Sequence, residues 1–133
     1  MITVVTSGYF NPLHVGHIKL LEEANKLGGR LIVIVNNDKQ VLLKGSKVFM
    51  NEKERCAIVK ALRCVDEVVL SIDTDRTICQ TLKMIKPNIF AKGGDSTPEN
   101  VPEKDICGKC GIEIIYNVGG VKIQSSSWLK NVL

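Results

Sequence analysis

Apolar positions along the chain fall into short unbroken runs separated by helical stripes. Residues 3–6 are a β-rich run closed by Ser7 and Gly8, which predicts a buried strand stopped by a turn. Pro12 and Gly16 punctuate a loop. From His17 onward Ile18, Leu20, Leu21, Ala24 and Leu27 share one helical face until Gly28 and Gly29 end it. Residues 31–35 are continuously apolar, the pattern of a strand covered on both faces. Residues 36–50 are polar, with glycine and lysine, and predict a loop. Asn51 with Glu54 three residues on marks a helix start, and Ala57, Ile58, Ala61 and Leu62 give that helix its stripe. A strand is predicted over 65–72, then a helix over 75–86 that buries Ile78, Leu82 and Ile85 and stops at Pro87. Residues 88–91 start a strand that runs into Lys92, Gly93, Gly94 and Asp95. A proline-bearing loop over 96–102 precedes a short helix over 103–109 and a strand over 112–116. The serines 125–127 then open a last helix with Trp128, Leu129 and Val132.

Strand and helix alternate five times, which predicts an α/β fold: a Rossmann-like five-stranded parallel sheet with helices on both faces. Crossovers in such a sheet are right-handed. Ligands bind beyond the carboxyl ends of the strands, where strand order reverses, so the informative residues are expected in loops that follow strands. At 133 residues and 44% hydrophobic, the chain fits a single domain over 1–133 that needs no disulfide or structural metal to fold. The net charge of +4 comes from scattered lysines without a basic stripe, which argues against a nucleic-acid partner and suits a small anionic substrate. Residues 1–6 lack the charged start and apolar run of a signal peptide, and no apolar run approaches a membrane span. A cytoplasmic protein with no membrane partner is therefore expected.

The five cysteines then read as reduced thiols. Cys107 and Cys110 form a CxxC, but no second pair or spare histidine accompanies them to complete a tetrahedral zinc site, so they are taken as incidental. Residues 44–47 do not belong to a P-loop, because Gln40 stands where its first glycine is required.

The chemistry concentrates between the first strand and the first helix. Gly8, Tyr9, Phe10, Asn11, Pro12, Leu13, His14, Val15, Gly16 and His17 place the chain's only 2 histidines three residues apart, around a glycine at the mouth of a helix. A helix N-terminus presents N–H groups and partial positive charge to phosphates, and glycine admits close approach of a ligand to the backbone.

The pattern Gly-x-Phe-Asn-x-x-His-x-Gly-His resembles the signature of the cytidylyltransferase-like nucleotidyltransferases. These include glycerol-3-phosphate cytidylyltransferase, heptose-phosphate adenylyltransferase, archaeal FAD synthetase and phosphopantetheine adenylyltransferase. The resemblance spans nearly the whole chain. Lys44 and Gly45 look like the family's lysine loop. Asn51 to Arg55, followed by Arg63 and Val65-Asp66-Glu67-Val68, is similar to another family segment. Lys86-Pro87-Asn88 with Lys92-Gly93-Gly94-Asp95 is close to the pattern of the heptose-phosphate enzymes, and Ser125, Ser126 and Ser127 sit where the family starts a helix. There are two departures: Asn11 replaces the commoner aspartate, and Lys122 is the only cation over 119–124, where glycerol-phosphate enzymes carry an arginine.

The resemblance implies attack by a substrate phosphate on the α-phosphorus of a nucleoside triphosphate, ATP or CTP, with release of pyrophosphate. His14 and His17 would stabilise charge on the α-phosphate, helped by N–H groups of the first helix. Lys44 would reach the β- and γ-phosphates, with Lys47 a second cation and Arg55 and Arg63 further phosphate holders. Gly8, Tyr9, Phe10, Asn11, Gly16, Lys92, Gly93, Gly94, Asp95, Ser125, Ser126 and Ser127 would line the nucleotide. Mg²⁺ is implied as a cofactor held through the phosphates, and a homodimer as the assembly. The segment 92–95 favours a sugar phosphate as acceptor. The alternatives are a cytidylyltransferase for glycerol phosphate or another alcohol phosphate, an archaeal-type FAD synthetase, a non-catalytic nucleotide-binding module, and a plain redox or zinc module.

Overall fold

In the computed structural model of the protein, residues 1–94 and 96–120 are described. Along them run β1 (Thr3–Gly8), α1 (Val15–Asn25), β2 (Arg30–Val35), α2 (Asp38–Leu43), α3 (Glu52–Lys60), β3 (Glu67–Leu70), α4 (Cys79–Ile85), β4 (Ile89–Ala91), α5 (Lys104–Cys110) and β5 (Glu113–Ile115). The five strands pair in the order β3-β2-β1-β4-β5, every neighbour parallel. The expected parallel α/β sheet is therefore what the chain forms. Strand order reverses between β1 and β4.

Period-two alternation sends successive side chains of each strand to opposite faces. Val4, Leu31, Val33, Val35, Ile89 and Ala91 pack on one face, with Leu21 and Ala24 of α1 and Val59 of α3. Val5, Ile32, Ile34 and Phe90 pack on the other, with Leu82 of α4 and Cys107 of α5. The continuous apolar runs are explained by this double cover. β1 pairs with β2 over its whole length, from Thr3 to Gly8, but with β4 only through Val4 and Val5. Beyond that point the Thr6 hydroxyl donates to the Ala91 carbonyl at 2.9 Å, a side-chain link in place of a ladder bond.

The structure corrects two local expectations. Residues 36–50 are not all loop, since α2 forms within them. Its signal was present: the Asn37 side chain accepts from the Gln40 N–H at 2.9 Å, and Gln40 Oε1 accepts from the Asn37 N–H at 3.0 Å, a capping box. The buried side of α3 is set by Arg55 and Val59, whereas Ala57, Ile58 and Ala61 are exposed. An apolar-only stripe cannot register a helix whose inward anchor is an arginine. The expected last helix, with Trp128, Leu129 and Val132, lies outside the described residues. Among the described residues no helix is long and apolar enough to cross a membrane.

Candidate active site

α1 begins at Val15, earlier than the apolar pattern suggests, because His14 caps it. The Gly16 N–H donates to His14 Nδ1 at 3.1 Å, and the His14 N–H donates to His17 Nδ1 at 3.1 Å. The His17 N–H returns to the His14 carbonyl at 3.0 Å. These N–H groups are therefore taken, which corrects the expectation that they stand free for phosphate. With Nδ1 accepting in both rings, the neutral imidazole carries its proton on Nε2, which makes Nε2 the donor nitrogen of each ring. A backbone donor at one nitrogen polarises the ring and strengthens the donor at the other. The first turn of α1 holds no acidic residue to offset this positive end.

Both rings are fixed by packing. The imidazoles of His14 and His17 stack with centroids 3.8 Å apart and an interplanar angle of 24°. Phe10 meets His17 edge-on at 4.8 Å. Phe10 is only 1% exposed and takes a φ of 50°, a left-handed conformation that costs a non-glycine residue free energy. Its ring folds back over Gly8, where a Cβ would come within 2.9 Å of the ring.

Residues 5–125 match the family model described as Cytidylyltransferase-like. The chain belongs to this family. It is 42% identical over 121 residues to the bifunctional protein HldE of Syntrophotalea carbinolica, covering 88% of this chain and 24% of the relative. It is 41% identical over 123 residues to the HldE of Koribacter versatilis, covering 90% of this chain and 23% of that one. The chain thus spans about a quarter of the length of these relatives. A crystal structure of a lipopolysaccharide core biosynthesis protein from Thermoplasma volcanium superposes with a TM-score of 0.78 at 29% identity, over 93% of this chain and 99% of that one.

Measured against the family signature, several assigned residues have other work in this chain. Asn11 is buried, and its amide bonds to the chain that follows α2: Nδ2 donates to the Lys47 carbonyl at 2.8 Å, and Oδ1 accepts from the N–H groups of Phe49 and Met50 at 3.0 and 3.2 Å. It ties the lysine loop to the histidine loop instead of facing nucleotide. Arg55 is a second correction. Its side chain is 0% exposed. The guanidinium donates to the carbonyls of Met50 (2.9 Å), Tyr9 (2.8 Å) and Asn36 (2.6 Å) and pairs with Asp38 at 2.7 Å. The Tyr9 carbonyl is therefore also occupied. Arg63 follows the end of α3 and precedes β3, which places it at the amino edge of the sheet, across the molecule from the histidines.

The remaining assigned residues converge on the carboxyl edge. Lys44, the C-cap of α2, holds its ammonium 4.3 Å from the centroid of the Tyr9 ring. Lys47 is exposed on the same loop. Lys92 follows β4, with its ammonium 5.1 Å from the Phe90 ring centroid. The Lys92 N–H donates to the Ile115 carbonyl at 2.8 Å, and the Val118 N–H to the Lys92 carbonyl at 2.9 Å. A Cβ on Gly94 would run into the Gly120 carbonyl oxygen, so only glycine fits there. Asp95, Ser125, Ser126 and Ser127 lie outside the described residues. Sequence reasoning passed over Asn37, Asp38 and Gln40, although the spacing of Asn37 and Gln40 was a usable cap signal.

Among the described residues no three His, Cys, Asp or Glu side chains gather as a metal site. Cys107 is buried on α5, and burial, with the charge of Glu103 adding to it, pushes its thiol up to about 11. At pH 8 about one molecule in a thousand would carry the reactive thiolate. Iodoacetamide applied to the folded protein at pH 8 is expected to leave Cys107 unmodified, whereas denatured protein is alkylated there. Peptide mass mapping that found Cys107 labelled quickly in the native state would contradict this environment.

Proposed function

We propose that residues 1–133 act as one nucleotidyltransferase domain that transfers AMP from ATP to the phosphate of a sugar phosphate, releasing pyrophosphate. The observation that carries the reading is the stacked pair His14 and His17, each with Nδ1 accepting a backbone N–H, at the mouth of α1 beside the reversal of strand order. Support for the sugar acceptor comes from the HldE relatives, which join a heptose-7-phosphate kinase to a heptose-1-phosphate adenylyltransferase.

An oxygen of the acceptor phosphate attacks the α-phosphorus, a new P–O–P linkage forms, and the bond to the bridging α–β oxygen breaks, leaving pyrophosphate with the electron pair. No covalent enzyme intermediate is required. The chain supplies positioning and charge stabilisation. His14 and His17 donate to the α-phosphate oxygens as negative charge builds there. Lys44 meets the β- and γ-phosphates, with Lys47 behind it. Lys92, Gly93 and Gly94 bring backbone and one cation to the nucleotide, Gly8 and Gly16 line it as positions without a side chain, and Tyr9 forms the wall beside Lys44. Asp95 and Ser125 to Ser127 complete the nucleotide side of this reading. Mg²⁺, carried on the phosphates, supplies charge neutralisation when bound. A cytoplasmic homodimer belongs to the same reading, and light scattering coupled to gel filtration tests the assembly.

Pyrophosphate release is the decisive assay, run with ATP or CTP against heptose 1-phosphate and glycerol 3-phosphate. Release is expected with ATP and the sugar phosphate. CTP with glycerol 3-phosphate would redirect the assignment to a cytidylyltransferase. ATP raising the melting temperature without pyrophosphate from any pair would leave a nucleotide-binding module and sink the enzymatic reading. ATP at 100 times its dissociation constant should stabilise the fold by about 2.7 kcal/mol.

A further inference from the structure

Three side chains meet where β1, β2 and β3 end. Tyr9 follows β1, Lys44 caps α2 after β2, and Arg76 lies between β3 and α4. Lys44 is over the Tyr9 ring at 4.3 Å. Burial raises the pKa of the Tyr9 phenol, and the Arg76 guanidinium at its hydroxyl offsets part of that rise. Arg76 is exposed. Neither the histidine motif nor the lysine loop accounts for it.

The segment that carries Arg76 is held by buried polar groups. Gln40 is 0% exposed, and its Nε2 donates to the carbonyls of Asp75 and Thr77, each at 2.8 Å. These two residues flank Arg76 directly. Asn37 Nδ2 donates to the carbonyls of Ser71 and Asp73, each at 3.0 Å. The buried Asp73 carboxylate accepts from the N–H groups of Gln80 at 2.8 Å and Thr81 at 3.0 Å. Asp75 Oδ1 accepts the Thr77 N–H at 2.9 Å and hydroxyl at 2.7 Å. Burying an amide and a carboxylate is costly unless their hydrogen bonds are made. Here those bonds go to the backbone around one exposed arginine. The chain thus builds a rigid mount for a side chain that does nothing for the core.

Among the described residues Arg76 forms no ion pair. Its guanidinium and the Lys44 ammonium both lie against Tyr9, where the Glu103 carboxylate also acts, and two cations on one side chain suit an anion with several phosphate oxygens. Nucleotidyl transfer must bring two anions together, the triphosphate and the attacking phosphate. The Lys92–Gly94 loop lies on the β4 side of β1, and Arg76 lies on the β2 and β3 side, with Lys44 beside it over Tyr9.

Resting on the nucleotidyl-transfer reading above, we propose that Arg76 binds the phosphate of the acceptor. A phosphate monoester is selected over the unphosphorylated sugar by this arginine, whose planar fork matches two phosphate oxygens. Lys44 serves the triphosphate next to it.

The test compares wild type with Arg76→Gln and Arg76→Lys, using heptose 1-phosphate and ATP as separate probes. The glutamine variant is expected to raise KM for heptose 1-phosphate about 10- to 100-fold. KM for ATP should stay within about twofold, and lysine should restore part of the loss, because it keeps the charge without the fork. Raised KM for ATP with an unchanged acceptor KM would assign Arg76 to the triphosphate and overturn the proposal, as would no change in either. If wild type neither turns over nor binds a sugar phosphate, the functional reading itself has failed. Binding of inorganic phosphate by calorimetry then still judges Arg76: weaker binding in the glutamine variant keeps an anion site, and equal binding removes it.

Discussion

Replacing His17 with alanine is expected to lower turnover by about two to three orders of magnitude, the size of effect seen when one preorganised donor to a developing negative charge is removed. The imidazole is held by the His14 N–H at 3.1 Å, by stacking on His14 at 3.8 Å and by Phe10 at 4.8 Å. Its Nε2–H therefore needs little reorganisation during reaction. The substitution also strips the His14 N–H of its acceptor, which should cost about 1 kcal/mol, as for loss of a helix cap. Circular dichroism and a melting curve would show a folded protein with a slightly lower midpoint. Activity within threefold of wild type would mean that the chemistry lies elsewhere.

The largest effect on stability is expected at Arg55. Its guanidinium satisfies the carbonyls of Tyr9, Asn36 and Met50 and the Asp38 carboxylate from a position with 0% exposure. Arg55→Ala leaves those acceptors without their donor and should cost about 3–5 kcal/mol. For a chain of this length that lowers the melting point by roughly 10–20 °C. Arg55→Lys should recover little, because one ammonium cannot reach acceptors spread around a planar fork. Denaturant titration is the direct check, and a loss below about 1 kcal/mol would refute the structural role. ATP binding to whatever folded protein remains should be close to normal, which separates this role from direct contact with nucleotide.

These two residues illustrate what local sequence reveals. The histidines were legible because everything that defines them lies within residues 8–17: a strand end, a glycine and a helix start. Arg55 was not. It sits on a predicted helix with an ordinary charge, and its partners Tyr9 and Asn36 lie 46 and 19 residues away in sequence. Asn11 was misassigned for the same reason, since its acceptor and donors lie 36 to 39 residues on. Arg76 went unnoticed because it read as a polar position in the first turn of the helix predicted over 75–86, whereas α4 starts only at Cys79 and leaves Arg76 in the loop before it. The bonds that hold this loop come from Gln40, 35 and 37 residues away, and from Asn37, 34 and 36 residues away. The helix α2 is a different case, because the cap formed by Asn37 and Gln40 was written locally and was outweighed by the polarity of the segment.

The sequence alone determined the alternation of strands and helices, the burial of the strands on both faces, and the position of the histidine pair at a helix mouth. Periodicity, caps and glycines are properties of neighbouring residues, and they act before any long-range contact forms. Tertiary structure alone decided the rest. The order β3-β2-β1-β4-β5 brought the loops after β1 and β4 to either side of the reversal. Long-range hydrogen bonds turned Arg55 and Asn11 into internal braces and gave Arg76 a fixed mount. A charged side chain becomes a brace or a ligand according to the acceptors that surround it once the chain has closed, and no local pattern encodes those acceptors.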